Sequence, residues 1–309
     1  MESTELTLSL TRSSPRVSVL LPAYNHARYV KRSLDSVLED SYPNTQLVII
    51  NDGSSDGTHE VISDWLAAHR QDVAVQYINR ENRGISATMN EMAAIADGDF
   101  LRVGASDDYL LPGGNAVLAG YLTANPSKLA VFGDAIVVDD EDAVTATSSL
   151  SQLNRARKKN FATDAGLRRE LIRRWSLAGP TMMLRKEALL AVKGWSEDLR
   201  VEDWSFYLRL ASRDALGFVD ATVGVYRVHG GNMSRTRQTE RRIRNLQDFA
   251  VTALRHVPDF AEPDRSFLRA QSSLVAAKIA YLRRQPIRMA LNLAAYAGRT
   301  AFAQARAWI

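Results

Sequence analysis

Residues 16–58, RVSVLLPAYNHARYVKRSLDSVLEDSYPNTQLVIINDGSSDGT, decide the fold. Arg16 to Tyr24 is a short run rich in Val and Leu, and Gln46 to Asp52 (QLVIIND) repeats its character. Both read as strands. Between them Val30, Leu34, Val37 and Leu38 recur at helical spacing and make one apolar face. A strand, a helix and a second strand in that order predict a βαβ unit with a right-handed crossover. The residues SSDGT then supply helix-capping chemistry, and Val61, Ile62, Trp65 and Leu66 continue a second helical pattern. Val73 to Arg80 (VAVQYINR) and Asp99 to Val103 (DFLRV) add two more strands. The expected class is α/β, a Rossmann-like, mainly parallel sheet flanked by helices, which collects ligands at the carboxyl ends of its strands.

Farther along the chain the alternation breaks. Residues 141–165 combine an acidic turn, a Ser/Thr-rich stretch and the basic run Arg155 to Lys159, and they read as a mobile connection. An apolar segment near Thr181 to Leu184, a helix from Glu202 to Ser212 and a strand from Gly217 to Val228 follow. After Arg235 only long helical segments rich in Ala, Leu and Arg are visible. The expected organisation is a disordered tail over 1–15, a catalytic domain over 16–235 and a helical region over 236–309.

The chain has 309 residues, 46% of them hydrophobic, enough for one large core or a domain with an appendage. Its 39 Lys and Arg exceed 35 Asp and Glu by a formal +4, which argues for an anionic ligand or membrane surface and against nucleic acid. There is no cysteine, so disulfides, thiolate catalysis and Cys-ligated zinc are excluded. The first residues, MESTELTLSLTRSSPR, lack the pattern of a secretory signal, and no apolar run is long enough to span a bilayer. The protein is expected in the cytoplasm.

Four short segments carry chemistry. In NDGSSDGT a buried strand ends at Asp52, whose carboxylate could accept the ring N–H of a pyrimidine, while Gly53 lets backbone approach a ligand; a plain turn and helix cap use the same residues. Asp107 and Asp108 in RVGASDDYLLP follow a strand and suit a hard divalent cation, although an exposed acidic turn looks alike. Glu202 and Asp203 open a helix, where carboxylates cap the dipole or serve as a general base. His229, in YRVHGGNMS, could bind a metal or an anion, or be structural. No G-x-G-x-x-G follows the first strand, which sets aside a dinucleotide oxidoreductase.

Taken in order, PAYNHARYV, DGSSDGT, ENRGISATMNEM, RVGASDDYLLP, LAGPTMMLRKEALLAVKGW, VEDWSFYLRL and YRVHGGNMSR resemble family 2 glycosyltransferases of the GT-A fold over residues 16–235. The resemblance implies an inverting transferase that moves a sugar from a nucleotide diphosphate sugar to a glycan or lipid-linked acceptor. Pro22, Ala23 and Tyr24 would wall the base and Asp52 would be its polar contact. Asn25, Gly53, Ser106, Asp107 and Asn90 would complete the nucleotide-sugar site, with Arg83, Arg227 or Arg235 holding the diphosphate. Asp107, Asp108 and His229 would hold Mg²⁺ or Mn²⁺. Asp203 would be the catalytic base, and Gly179, Pro180, Glu202 and Trp204 would lie on the acceptor side.

Two positions depart from the family pattern. Ala105 stands where the metal motif has its first acid, and Met89 where an arginine is common. A nucleotide-binding scaffold that has lost turnover is the competing reading they raise. A last feature is residues 283–309, RRQPIRMALNLAAYAGRTAFAQARAWI, where arginines alternate with Ile287, Met289, Leu291, Leu293, Tyr296, Phe302, Trp308 and Ile309. That mixture suits a peripheral membrane contact, and packing on the catalytic domain or a homodimer contact competes with it.

Overall fold

The computed structural model describes residues 14–69, 71–174, 177–232 and 238–306. Nearly all of the expected N-terminal tail, together with Arg235, Trp308 and Ile309, lies outside the described residues.

The first part follows the expected alternation: β1 (Val17–Ala23), α1 (Val30–Glu39), β2 (Thr45–Asp52), α2 (Thr58–His69), β3 (Ala74–Arg80), α3 (Ile85–Ile95) and β4 (Phe100–Val103). These strands pair in the order β3-β2-β1-β4, all parallel. β1 and β2 are buried on both faces, which is why they read as continuous Val, Leu and Ile runs. Helix α1 turns Val30, Leu34 and Val37 inward against Val19, Leu21 and Leu47.

Beyond β4 come β5 (Tyr109–Leu110), α4 (Gly114–Ala124), β6 (Ala130–Val138), β7 (Val144–Ala146), α5 (Asp164–Arg173), β8 (Met182–Arg185), α6 (Ala188–Val192), α7 (Glu202–Ala211) and β9 (Leu216–Arg227). The sheet continues β4-β8-β6-β9-β5, with β7 on β6. β8 runs antiparallel to both β4 and β6, and β5 antiparallel to β9, while β6 and β9 are parallel. The expectation of a mainly parallel sheet therefore holds for the first half, and the second half is mixed. An antiparallel neighbour needs no right-handed βαβ crossover, so β8 can return beside β4 and β6 after the connection that contains α5. This pairing sets Tyr109 beside Val225 and so brings the Asp107–Asp108 turn to the end of β9.

The connection over 141–165 is held down, contrary to the expectation of mobility. Leu150 and Phe161 are buried in the main core. Asp134 of β6, fully buried, accepts hydrogen bonds from Ser148 Oγ at 2.5 Å, Ser149 Oγ at 3.1 Å and the Leu150 N–H at 3.1 Å, and it pairs with Lys158 at 2.8 Å. A buried carboxylate left without these partners would be costly, so they pull the connection onto the sheet.

The helical region comprises α8 (Thr239–Arg255), α9 (Asp264–Leu282) and α10 (Pro286–Arg306). It shares a core with the rest of the chain, built from Ile172, Trp204, Leu208, Ala253, Phe267 and Leu268. α10 rests on α9 through Ala303, its one buried residue. Among the described residues no helix is long and apolar enough to cross a membrane.

Candidate active site

The carboxyl ends of β1, β2 and β4 open on one edge of the sheet, as their parallel pairing requires. Two loops there are knitted together. The Asn25 N–H donates to Ser54 Oγ at 2.9 Å, Asn25 Oδ1 accepts the Ser55 N–H at 2.8 Å, and Asp56 accepts the Ala27 N–H at 3.1 Å. Gly53 sits at φ +73°, and a Cβ there would meet the Asn82 backbone N at 2.5 Å, so this turn admits only glycine. Above it Asp52 is buried and fixed. It accepts the N–H groups of Arg83 and Gly84, each at 2.9 Å, and pairs with the Arg80 guanidinium. Tyr24 is half exposed beside this edge, Pro22 is partly buried and Ala23 is buried.

Asp107 and Asp108 point in different directions. Asp108 is turned inward, where its Oδ1 accepts the backbone N–H of Arg227 at 2.8 Å. Burial, with the charge of Asp107 next to it, pushes its carboxyl well above the usual range. Asp107 faces the edge. Its Oδ2 lies 3.1 Å from His229 Nε2 and 3.8 Å from His26 Nε2. Burial works to raise its pKa, but the His229 bond and the nearby imidazoles outweigh it and hold the carboxylate below the usual range. The other ring nitrogen of His26 bonds Ser106 Oγ at 2.8 Å. His229 takes the Gly231 N–H on Nδ1 at 3.2 Å, which leaves its Nε2–H to Asp107. Tyr29 closes the cluster, its ring 4.8 Å from that of His229 and its hydroxyl donating to Asp140.

Each of His26, Asp107 and His229 offers a ligand atom within 4.8 Å of the others, the one such group of His, Asp or Glu among the described residues. Two imidazoles and a carboxylate, partly exposed, form a donor set that fits a divalent cation. Asp108, expected as a ligand, is outside that group, because its burial commits it to Arg227. His26 was missed by sequence reasoning. A signal existed: it directly follows P-x-Y-N at the carboxyl end of the first strand, the edge where Asp107 was placed.

The other expected residues distribute unevenly. Arg227, 2% exposed, is engaged on every side: Nε donates to the Asp107 carbonyl at 3.0 Å, Nη1 to the Asp139 carbonyl at 3.0 Å, and Nη2 to Asp142 at 2.6 Å. It holds the acidic turn. Arg83 is exposed and pairs with Glu91 at 3.1 Å. Asn90 is spent on the loop before α7, donating to the Trp195 carbonyl at 2.9 Å and accepting its N–H at 2.8 Å. Met89 packs in the main core. Gly179 and Pro180 form a tight turn against Asp108 and β9, with the Pro180 carbonyl accepting from the buried Arg102. Trp204, expected on the acceptor side, is 1% exposed and donates its indole N–H to the Leu171 carbonyl at 2.9 Å within the core shared with the C-terminal helices. Its register on α7, one residue past Asp203, turns it away from the helix end.

Glu202 and Asp203 begin α7. Asp203 Oδ1 accepts the Trp204 N–H at 2.6 Å. Burial, with Asp203 beside it, pushes Glu202 up to about 8. The helix is anchored by Phe206, which stacks on Trp195 at 4.5 Å and an interplanar angle of 7°.

Residues 18–192 match the family described as Glycosyl transferase family 2, more than half of the chain. The chain belongs to this family. It is a glycosyltransferase. It is 26% identical over 209 residues to the EpsE protein of Bacillus subtilis (strain 168), covering 67% of this chain and 70% of that one. It is 37% identical over 98 residues to the chondroitin synthase of Pasteurella multocida (strain Pm70), covering 32% of this chain and 10% of that protein. In fold it is similar to the mannosyltransferase PcManGT of Pyrobaculum calidifontis in complex with GDP-Man and Mn²⁺, with TM-score 0.61 and 20% identity over 96% of this chain and 80% of that one. It is likewise similar to residues 1–349 of S. aureus TarS in complex with UDP-GlcNAc, with TM-score 0.62 and 15% identity over 94% of this chain and 92% of that one. These neighbours establish the GT-A fold.

Proposed function

We propose that this glycosyltransferase moves a sugar from a uridine or thymidine diphosphate sugar to a hydroxyl of a glycan or lipid-linked acceptor, with inversion, in the synthesis of a polysaccharide, O-antigen or related glycoconjugate. The observation that carries this reading is Asp107 flanked by two imidazoles at the sheet edge where Asp52 also sits. A carboxylate has about four acceptor positions. On Asp52 the Arg80 guanidinium and the N–H groups of Arg83 and Gly84 take three of them, leaving room for a ring N–H of uracil or thymine. One of the neighbours is in complex with GDP-Man and the other with UDP-GlcNAc, so the fold accommodates either base.

The donor set around Asp107 would hold Mg²⁺ or Mn²⁺, which when bound supplies positive charge against a diphosphate leaving group. Asp203 takes the proton of the acceptor hydroxyl as that oxygen attacks the anomeric carbon from the face opposite the diphosphate, and a single displacement inverts the configuration. The acceptor side is formed by the Gly179–Pro180 turn and Glu202. We further place the catalytic unit at 16–235, the protein in the cytoplasm, and α10 against the membrane face where a lipid-linked acceptor would lie.

The test is a panel of uridine, thymidine and guanosine diphosphate sugars, scored for nucleotide release with Mg²⁺, with Mn²⁺ and with excess chelator, with and without glycan acceptors. Acceptor-stimulated, ion-dependent release from uridine or thymidine donors is expected. Release from guanosine donors alone would overturn the base assignment. Full activity in chelator, with Asp107→Ala and Asp108→Ala both unaffected, would overturn the ion. Nucleotide binding without turnover for any donor would leave the scaffold reading in its place.

A further inference from the structure

We propose that His26 is a direct ligand of the divalent ion, standing in for the carboxylate that Ala105 lacks, and that the resulting two-imidazole, one-carboxylate set selects transition ions from Mn²⁺ to Zn²⁺ over Mg²⁺. The inference deepens the ion reading above and rests on it.

Geometry comes first. His26 Nε2 and Asp107 Oδ2 are 3.8 Å apart, too far for a hydrogen bond. His229 Nε2 and the same oxygen are 3.1 Å apart. Two ligands each about 2.1 Å from one ion are separated by about 3 Å at right angles and about 3.4 Å at a tetrahedral angle. The His229 spacing falls between those values and the His26 spacing exceeds the larger by about 0.4 Å, so a small side-chain rotation of His26 closes the set.

Orientation comes second. The Nδ1 of His26 is bonded to Ser106 Oγ at 2.8 Å, and Ser106 is itself 1% exposed. A metal-binding imidazole commonly has its second nitrogen held in this way, which fixes the ring and leaves the first nitrogen's lone pair outward. Here Nε2 faces the Asp107 carboxylate at 3.8 Å. When Nδ1 carries the ring proton and donates to Ser106, the two acceptors repel unless a cation or proton lies between them.

The selectivity follows from donor chemistry. Mg²⁺ prefers oxygen and dehydrates reluctantly, whereas imidazole suits later divalent ions, whose affinities rise from Mn²⁺ toward Cu²⁺. Binding has one local consequence. The Nε2 proton that His229 shares with Asp107 must leave, and Gly231 must turn its N–H away so that Nδ1 can carry a proton.

The experiment uses the full chain and Mn²⁺ alone. Electron spin echo spectra of the bound ion should show two directly bound imidazole nitrogens in the wild type and one in His26→Ala. Mn²⁺ affinity should fall about tenfold or more in His26→Ala, while Mg²⁺ affinity, read by competition, should change less than twofold. Ala105→Asp in that background should recover Mn²⁺ affinity without recovering the lost nitrogen signal. A single nitrogen in the wild type, or unchanged Mn²⁺ affinity in His26→Ala while Asp107→Ala abolishes binding, overturns the role of His26 and leaves the ion reading standing. Mn²⁺ binding that survives Asp107→Ala defeats the ion reading as well. The wild-type spectrum decides the ligand count even where a variant folds poorly.

Discussion

The Asn90 side chain closes a two-way bond with the backbone of Trp195, donating through Nδ2 at 2.9 Å and accepting through Oδ1 at 2.8 Å. Trp195 in turn stacks on Phe206. α3, whose preceding loop is held by Asp52, is thereby joined to α7, which begins with Asp203. The residue that the family resemblance assigned to the nucleotide sugar thus couples the carboxyl edge of the sheet to the helix that begins with Glu202 and the proposed base Asp203.

Asn90→Ala should therefore act on stability and turnover rather than on donor affinity. Losing both bonds and leaving the Trp195 groups unpartnered costs about 1–3 kcal/mol. The expected outcome is a melting temperature lower by several degrees and a reduced kcat with donor Kd nearly unchanged. A raised donor Kd at an unchanged melting temperature would show instead that Asn90 contacts the diphosphate.

The pair at the head of α7 predicts a pH dependence of stability. Glu202 is pushed from 4.5 up to about 8 by burial and by Asp203, so the folded state holds its proton more tightly than the unfolded chain does. That contribution is complete below about 4.5 and is lost as pH rises through about 8, at up to about 1.4 kcal/mol per pH unit within the window. Denaturation midpoints measured from pH 5 to 9 should fall for the wild type and fall less for Glu202→Gln. Equal slopes would mean that Glu202 is already ionised in the fold.

How far the chain can be read without coordinates differs along its length. β1 to β4 alternate with helices of clear periodicity, so the parallel half of the sheet and its ligand edge follow from spacing alone. β6 does not, because Asp134 interrupts its apolar run and is accommodated only by Ser148, Ser149, Leu150 and Lys158 from the following connection. The same bonds explain why a Ser-rich, basic stretch with the composition of a mobile loop is pinned. His26 and Asp107 are 81 positions apart, and only sheet pairing brings them together. Trp204 shows the reverse limit: its neighbour Asp203 suggested a cleft, whereas the rotation of about 100° between adjacent helical residues turns its ring into the core shared with the C-terminal helices.

α10 leaves an apolar stripe uncovered. Ile287, Leu291 and Phe302 are 76%, 67% and 51% exposed, and no Asp or Glu follows Asp264 to the end of the helix. Basic and apolar surface together favours an anionic interface, with an electrostatic part that salt screens. The full chain should sediment with phosphatidylglycerol vesicles at low salt and be released at high salt, and Ile287→Ser with Leu291→Ser should weaken sedimentation several-fold. No sedimentation at low salt, with a dimer in light scattering that the same substitutions dissociate, would assign the stripe to a second copy of the chain.

The assignment of Asp203 as base can be tested without disturbing the fold around it. Its Oδ1 accepts the Trp204 N–H at 2.6 Å, a bond that an Asn carbonyl oxygen can also accept, and the helix behind it is anchored by Phe206, Tyr207 and Leu210 in the main core. Asp203→Asn keeps the shape and the bond to the Trp204 N–H and removes basicity. It should leave the melting temperature and donor affinity near wild type and lower turnover by roughly 10² or more, the scale of a lost general base. It should also bring the pKa of Glu202 down, because the Asp203 charge contributes to raising it. Glu202→Gln, measured beside it, should reduce transfer much less if Asp203 alone takes the acceptor proton. The product's anomeric configuration completes the test: inversion fits one displacement with one base, whereas retention, or near-normal transfer by Asp203→Asn, would remove Asp203 from that role.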